Sequence, residues 1–455
     1  MNTYIVREVI YPIYRALKRD RVLDFLAEMH RVEVLDPEDV RKFQWAKFKR
    51  LLEYAAEHVP YYRGVFKDLG ATPEDFKSHH DLKGFPVLRK RDILANPEAF
   101  ISEAYPRSRL ERNSTGGSTG ENLYFWLDRE VCQARQANNA RMDEWIDIRI
   151  GDRVAMLWGT AFDMERSRKV TNVLRNWVSN RLLLSSYTMD LASLDDYVNR
   201  LTAFRPHLIL SYPSALIHFC RSVAERGGMA VKPRAVLCSG ETLYDWQRDV
   251  IEDTFGTACY NHYGCREFGA LARECRMRDG LHIACERVLI EEMPVSDSTS
   301  GAQASELLVT DLDAYGMPFI RYAIGDLGKI TWEQCKCGLG LPRLQSTLGR
   351  TFDVVRTPNG NYLGGTFWTI LLRKRKGIER FQVIQEKIDE ITIAFIPTEE
   401  FTDDTRRYII DKVREAGGPE MKVKFEPGPD LALTPAGKFR FVISKIGLPD
   451  GNRDD

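Results

Sequence analysis

The sequence predicts an α/β protein with a large N-terminal domain of mixed or parallel sheets and helices, and a small mobile α+β domain at its C-terminus. Three observations carry this. Between about Gly151 and Ile330, short apolar runs alternate with amphipathic segments, as strands and helices do in a largely parallel sheet. After Gly349 the alternation becomes apolar–polar, residue by residue, as in half-buried strands. The length of 455 residues also exceeds what one small core accommodates. The expected division is 1–352 and 353–455, with residues 1–100 mainly helical.

The elements follow in order. Tyr4 to Leu17 is apolar but interrupted by Arg7 and Glu8, and no small-residue cleavage site follows, so a secretory signal is not expected. The segment reads as a helix packed on its own domain. Within residues 1–29, Arg15, Lys18, Arg19 and Arg21 also allow peripheral contact with a membrane or a partner. Phe43 to Val59 has helical spacing, and Pro60 is expected to end it. Val154–Trp158, Leu208–Ser211, Ala235–Ser239 and Leu307–Thr310 read as buried strands. Leu194–Ala203, Leu216–Arg226 and Asp245–Phe255 read as the helices between them. In the last hundred residues, Arg380–Gln385, Glu390–Ile396 and Met421–Glu426 read as antiparallel strands. Thr405–Ala416 reads as a helix stopped by Gly417 and Gly418, and Phe439–Ile443 as a further strand.

Lys plus Arg and Asp plus Glu both number 65, which argues against bulk attraction to nucleic acid while permitting local patches. No run approaches the roughly 18 apolar residues of a membrane span. Nine cysteines, an odd number scattered along a long chain, fit a reducing cytoplasm, where such residues more often hold metal than pair as disulfides.

Six short motifs carry chemistry. Asn113 precedes Ser114-Thr115-Gly116-Gly117-Ser118-Thr119-Gly120, a loop whose free backbone N–H groups and hydroxyls suit a polyphosphate; Glu121 replaces the lysine of a Walker loop. Downstream come Cys238-Ser239-Gly240-Glu241-Thr242 after a buried strand, and Tyr263-Gly264-Cys265-Arg266-Glu267 after Asn261 and His262. Then follow Arg321-Tyr322-Ala323-Ile324-Gly325-Asp326, Gly349-Arg350-Thr351-Phe352-Asp353, and Thr434-Pro435-Ala436-Gly437-Lys438, which puts a lysine in a Pro/Gly loop. Separately, Cys335-Lys336-Cys337 is a short chelating pair. With Cys275 and His282 it offers three thiolates and one imidazole, a closed set suited to structural zinc. His262 and Cys265 could each replace a ligand.

The order of these motifs resembles the adenylate-forming (acyl-CoA synthetase) superfamily, and within it the phenylacetate–CoA ligase-like branch, over nearly the whole chain. The stretch from Tyr263 through Glu274-Cys275, Gly280-Leu281-His282 and Glu286 resembles members associated with capsular polysaccharide. The resemblance implies an AMP-forming ligase that adenylates a carboxylic acid with ATP and passes the acyl group to coenzyme A, an amine or a hydroxyl. It implies that Ser114–Gly120 hold ATP phosphates, that Ser239, Gly240 and Glu241 lie along the adenine, and that Tyr263, next to Gly264, stacks on it. Glu267 would hold Mg2+, Asp326 the ribose hydroxyls, with Arg350 nearby. Asp353 would be the hinge and Lys438 the catalytic lysine. Zinc ligands are similarly placed in this branch. Its acyl-pocket loop falls near Trp158–Phe162, followed here by charged residues from Asp163 to Lys169, so a polar or larger acid fits as well as phenylacetate. The alternative is a non-catalytic nucleotide-binding or interaction protein of the same fold, against which the retention of Glu267, Asp326, Arg350 and Lys438 speaks.

Overall fold

The computed structural model describes residues 2–115, 123–158, 176, 179–185, 191–228, 230–294, 305–350, 355–359, 362–363, 365–368, 371–372, 377–431 and 439–446. Its contacts divide the chain into two compact units. One comprises Met1–Leu289, Val309–Tyr322 and Thr331–Gln345; the other comprises Ile290–Leu308, Ala323–Ile330 and Ser346–Asp455. The expected boundary at Phe352–Asp353 lies outside the described residues.

The first unit opens with helices. Asp36 caps Pro37–His58 by accepting from the Glu38 and Asp39 amides, and the helix buries Val40, Phe48, Leu51, Leu52 and Ala55. The helix ends just before Pro60, as the sequence predicts, and Pro60 itself begins a second helix, Pro60–Leu69, which the sequence reading did not anticipate. At the first helical position the missing N–H of proline is no loss, and its ring forces only Val59 into extended backbone. Phe48, Tyr62 and Phe66 from these helices pack with Phe76, Phe85, Leu312 and Ile320.

Strands β1 (Glu111–Ser114) and β2 (Tyr124–Leu127) form an antiparallel hairpin. There follow β3 (Val154–Leu157), β4 (Arg181–Leu184), β5 (Leu208–Ser211), β6 (Ala235–Ser239), β7 (Cys259–Cys265), β8 (Gly269–Glu274) and β9 (Leu281–Ile283). After these come β10 (Val288–Pro294), β11 (Ser305–Asp311), β12 (Tyr322–Thr331) and β13 (Arg343–Arg350). The sheet order is β10-β11-β12-β13-β9-β8-β7-β6-β5-β3-β4. From β4 to β7 neighbours run parallel; β8 and β9 then reverse, and Arg343 of β13 pairs antiparallel with His282 of β9. The expected helices appear as Leu191–Phe204, Pro213–Ala224 and Asp245–Phe255. Both faces of the parallel strands are covered, which is why they read as unbroken apolar runs. Ile209, Val236 and Cys238 pack with Leu216, Phe219 and Ile251, while Leu208, Ala235 and Leu237 pack with Ile146 and Ile148.

The second unit contains β14 (Val355–Arg356), β15 (Tyr362–Leu363), β16 (Ile378–Lys387), β17 (Glu390–Pro397), β18 (Lys422–Pro427) and β19 (Val442–Ser444). The helix Asp403–Gly417 buries Ile409 and Val413 in one core with Trp368, Val383, Ile391 and Phe395. The antiparallel expectation holds only for β16 with β17; β17–β18 and β16–β19 are parallel. The Asp403–Gly417 helix supplies the crossover that returns β18 in the direction of β17. The last strand is shorter than its alternation suggested, and Val442 and Ser444 are the buried pair rather than Ile443.

A network of buried charges joins the helices of the first unit to its sheet. Arg287 holds Asp311 at 3.0 Å and Asp313 at 3.0 Å, and Lys47 reaches Asp313 at 2.6 Å. Arg141 holds Glu286 at 2.6 Å, and Arg135 reaches Asp311 at 3.1 Å. Burial works against ionisation of Asp313, yet Lys47 and Arg287 together hold its carboxyl below the usual carboxylate range. Removing one partner strands the others without water. Asp313→Ala should therefore lower unfolding free energy by about 3–5 kcal/mol in urea titration. Because its folded pKa is depressed, the carboxyl's contribution is fully present above the unfolded carboxylate pKa, so the difference between wild type and variant should be full at neutral pH. It should shrink as pH falls from the unfolded carboxylate value through the lowered folded value.

Candidate active site and a buried cysteine–histidine cluster

Three of the motifs come together in the first unit, at the C-terminal ends of its parallel strands. That end is where ligands bind in open parallel sheets. Ser239 closes β6 and is buried, and its register partner on β7 is His262, next to Tyr263. Gly240 follows with φ +79°, a left-handed turn that favours glycine. The Glu241 side chain turns to the Pro213–Ala224 helix: its carboxylate accepts from the Ser214 amide at 3.0 Å and the Ser214 hydroxyl at 2.9 Å. It thereby caps a helix whose preceding residue, Tyr212, makes no side-chain cap.

Gly264 marks a bulge between β7 and β8. A Cβ there would lie 2.4 Å from the Gly269 carbonyl, so the two strands approach as only glycine allows. Glu267 lies half-buried in the turn they form. Arg135 of the Arg129–Glu144 helix runs beneath that turn and donates to the Arg266 carbonyl at 3.2 Å and to the Glu267 carbonyl. From three residues further on, Asn138 donates to the Ala270 carbonyl at 3.0 Å. Sequence reasoning missed both residues.

Ser114 ends β1, and its carbonyl accepts from Arg266 at 3.4 Å. Thr115 and Leu123 close the neck of the glycine-rich loop: the Thr115 amide donates to the Leu123 carbonyl at 3.0 Å, and the Leu123 amide to the Thr115 hydroxyl at 3.1 Å. Arg266 thus ties the neck of the expected phosphate loop to the turn that carries Glu267. Asp326 is buried on β12 in the second unit, and Arg350 ends β13. Gly116, Gly117, Ser118, Thr119, Gly120, Asp353, Lys438 and most of the acyl-pocket segment lie outside the described residues.

The sequence-predicted metal set is brought together. The ligand atoms of Cys275, His282, Cys335 and Cys337 all lie within 4.8 Å of one another. The Sγ atoms of Cys275 and Cys335 are 3.9 Å apart, and His282 Nε2 is 3.2 Å from Cys337 Sγ. Thiolates on one tetrahedral ion at about 2.3 Å stand roughly 3.8 Å apart, so the donor set fits zinc. The His282 Nδ1–H donates to the Leu341 carbonyl at 3.4 Å, which leaves the Nε2 lone pair facing the sulfurs. Local structure explains the convergence. Cys275 follows β8, and His282 lies on β9, which pairs with β8 antiparallel across a turn containing Gly280 at φ +79°. Cys335 and Cys337 lie in a turn closed by the Gly338 amide on the Cys335 carbonyl at 3.1 Å. Burial pushes the Cys337 thiol up to about 12 and the His282 imidazole down to about 4. His282 is therefore neutral near pH 7, while thiols so buried ionise only beside a cation. His262 and Cys265 are not in the cluster; Arg273 donates to the His262 Nδ1 at 3.0 Å.

Comparison with known proteins adds to this geometry. Residues 355–445 match the family described as the CapK C-terminal domain. The phenylacetate-coenzyme A ligase of Thermus thermophilus is 25% identical over 451 residues, covering 90% of this chain and 98% of that one. The phenylacetate-coenzyme A ligase of Escherichia coli is 24% identical, covering 71% of this chain and 74% of that one. Among solved structures, 2-hydroxyisobutyryl-CoA ligase in its postadenylation state superposes with a TM-score of 0.73 at 20% identity, covering 91% of each chain. Fold, motif order and relatives agree: the chain is an AMP-forming ligase, similar to the adenylate-forming superfamily and to its phenylacetate–CoA ligase branch.

Proposed function

We propose that the enzyme adenylates a carboxylic acid with ATP and transfers the acyl group to the thiol of coenzyme A. The observation that carries the first step is the tie from Arg266 to the Ser114 carbonyl, which sets the expected phosphate loop beside the Glu267 turn. A carboxylic acid with a pKa near ~4 is already ionised at neutral pH, so attack on the α-phosphorus of ATP needs no general base. It needs donors and positive charge around the phosphoryl oxygens. On this reading Ser114–Gly120 hold the phosphates, Ser239, Gly240 and Tyr263 border the adenine, Asp326 takes the ribose hydroxyls with Arg350 near it, and Asp353 is the hinge. Magnesium bound at Glu267 would neutralise phosphate charge. Coenzyme A is favoured as acceptor because the relatives that align over most of this chain are named coenzyme A ligases. The CapK-type match supports the capsular association of the sequence resemblance, and with it a polar acid or a saccharide-linked acceptor. We also infer that Cys275, His282, Cys335 and Cys337 bind one structural zinc.

Three measurements test these readings. Pyrophosphate–ATP exchange across a panel of carboxylic acids should reveal one class of acid that drives exchange, and product analysis with coenzyme A, amines and sugars should then give a thioester. Exchange with no acid would remove the adenylation reading, while exchange followed by an amide or ester product would replace the thiol acceptor. Lys438→Ala should lower exchange by about 10²–10³-fold and still consume prepared acyl-adenylate when coenzyme A is supplied. Equal loss in both half-reactions would point to misfolding or to a different lysine, and near-normal exchange would remove Lys438 from the mechanism. Protein purified without chelator should carry about one zinc per chain, and Cys335→Ser should lose metal and thermal stability together. A zinc-free wild type of undiminished stability would overturn the metal assignment.

A further inference from the structure

The first helical stretch of the chain carries its polarity inside out. Thr3–Ile5, Val6–Ile10 and Tyr11–Lys18 form one run of helix. A helix lying on a domain ordinarily buries its apolar stripe and exposes its charges. Here the inward face is held by polar contacts. Arg7 donates to the Ile150 carbonyl at 2.9 Å and lies 3.6 Å from buried Asp152. Arg15 pairs with Asp20 at 2.8 Å and donates to Gln136 at 2.9 Å. Val6 is the apolar side chain this face buries. Gly151, at φ +91°, lets the backbones meet, since a Cβ there would stand 2.7 Å from the Thr3 carbonyl.

The outward face is apolar. Ile5, Val9, Ile13 and Leu17 are 47, 48, 55 and 80% exposed, and Tyr4 is 67% exposed. Of the twelve large hydrophobic side chains exposed among the described residues, these five fall within the first seventeen positions, so they form a concentration rather than scatter. The spacing of four sets them in a row roughly 18 Å long. In an α-helix each step of four drifts by about 40°. The Val6–Ile10 turn is wider, with the Tyr11 amide bonded to the Val6 carbonyl five residues back, and it offsets part of that drift.

Cations gather at the end of the row. Arg19 and Arg21 follow Leu17, and Arg129 donates to the Arg19 carbonyl at 3.3 Å. Arg21 lies over the Phe25 ring at 5.3 Å and has loose, exposed acidic neighbours, Asp24 at 3.6 Å and Glu130 at 3.9 Å. Residues 1–21 hold five basic and two acidic side chains in a chain whose charges balance overall.

We propose that this helix docks on a bilayer bearing anionic headgroups, with Ile5, Val9, Ile13 and Leu17 entering the acyl boundary and Arg19, Arg21 and Arg129 meeting the phosphates. A convex row one residue wide, edged by cations, suits a fluid surface. Anchors for a protein partner usually cluster as a patch around fitted pockets.

The test is sedimentation of the full-length protein with phosphatidylcholine vesicles, with and without about 30% phosphatidylglycerol. Wild type should bind the mixed vesicles, bind the neutral ones weakly, and be partly released by salt. Ile13→Glu with Leu17→Glu should lower the bound-to-free ratio at least about tenfold, with pyrophosphate exchange unchanged, because both side chains are exposed on the wild-type surface. Should exchange also fall, the single change Leu17→Ser, at the most exposed position, decides by the same readout. Arg19→Glu with Arg21→Glu should abolish the preference for phosphatidylglycerol. Absence of wild-type binding to the mixed vesicles, or binding undiminished by the charge insertions, would overturn the proposal. So would a wild-type dimer in analytical ultracentrifugation that Ile13→Glu with Leu17→Glu turns into a monomer, since the row would then belong to a second copy.

Discussion

The constraint on which the first unit depends is the burial of Arg141, Arg287, Glu286, Asp311 and Asp313 with almost no access to water. Charges removed from water are tolerated only in good geometry, and a small displacement of either partner leaves the other uncompensated. The ends of this network lie on different elements: Lys47 on the Pro37–His58 helix, Arg135 and Arg141 on the Arg129–Glu144 helix, Glu286 and Arg287 between β9 and β10, and Asp311 at the end of β11. Gln44, one turn before Lys47, adds bonds of 2.9 Å to the Cys285 and Val288 carbonyls. The network therefore fixes the separation of helices and sheet. Through Arg135 it also fixes the Arg266–Glu267 turn at the candidate site.

The same charges extend to the cysteine–histidine cluster. Arg141 lies over the Trp145 ring at 4.7 Å, that ring meets His282 edge-on at 5.7 Å, and the Trp145 indole donates to Glu33 at 3.0 Å. On the other side, the Gly340 amide donates to the Glu33 carbonyl at 2.9 Å, and the backbone of Leu35 comes so close that no side chain fits at position 340. The turn that supplies Cys335 and Cys337 is thus seated on the N-terminal helices as well as on β9. Ligand atoms set in a packed frame lose little freedom on binding an ion, which is why this short Cys-x-Cys pair and two distant residues can act as one site.

Much of this was legible in the sequence, and the misses have physical causes. Ala235–Ser239 was readable because a strand covered on both faces has no polar alternation to confuse with a helix surface. The four possible metal ligands were readable because thiols and imidazole are scarce and chemically specific. Arg135, Asn138 and Arg141 were not, because a charged or amide side chain on a helix normally marks the solvent face. Nothing in the spacing of that helix shows that the face is covered. Pro60 was read rightly as the end of the preceding helix, but proline also favours a helix starting at it, and that second helix was not foreseen. Strand direction in the small sheet was misread because apolar alternation reports which residues are buried, while direction depends on the length of the connection.

Catalysis without a general base shifts the demand from titration to position. On the proposed reading, the first unit would meet that demand largely with backbone and glycine. Gly240 turns left-handed after β6, Gly264 admits the bulge next to Tyr263, and Thr115 and Leu123 close the loop neck through amides, a carbonyl and one hydroxyl. Even the carboxylate in the Ser239–Glu241 motif serves position, because Glu241 is engaged with Ser214 at the start of the Pro213–Ala224 helix. That bond ties the loop after β6 to the element after β5, so neighbouring strand ends hold a common edge. Backbone groups fixed in this way need no reorganisation when charge develops on a phosphoryl group, which is where preorganised dipoles are most effective. A site built like this can keep its nucleotide-facing geometry while the side chains around the acid change. The acid's identity must then be read from the residues that line its own pocket, not from the motifs that define the reaction.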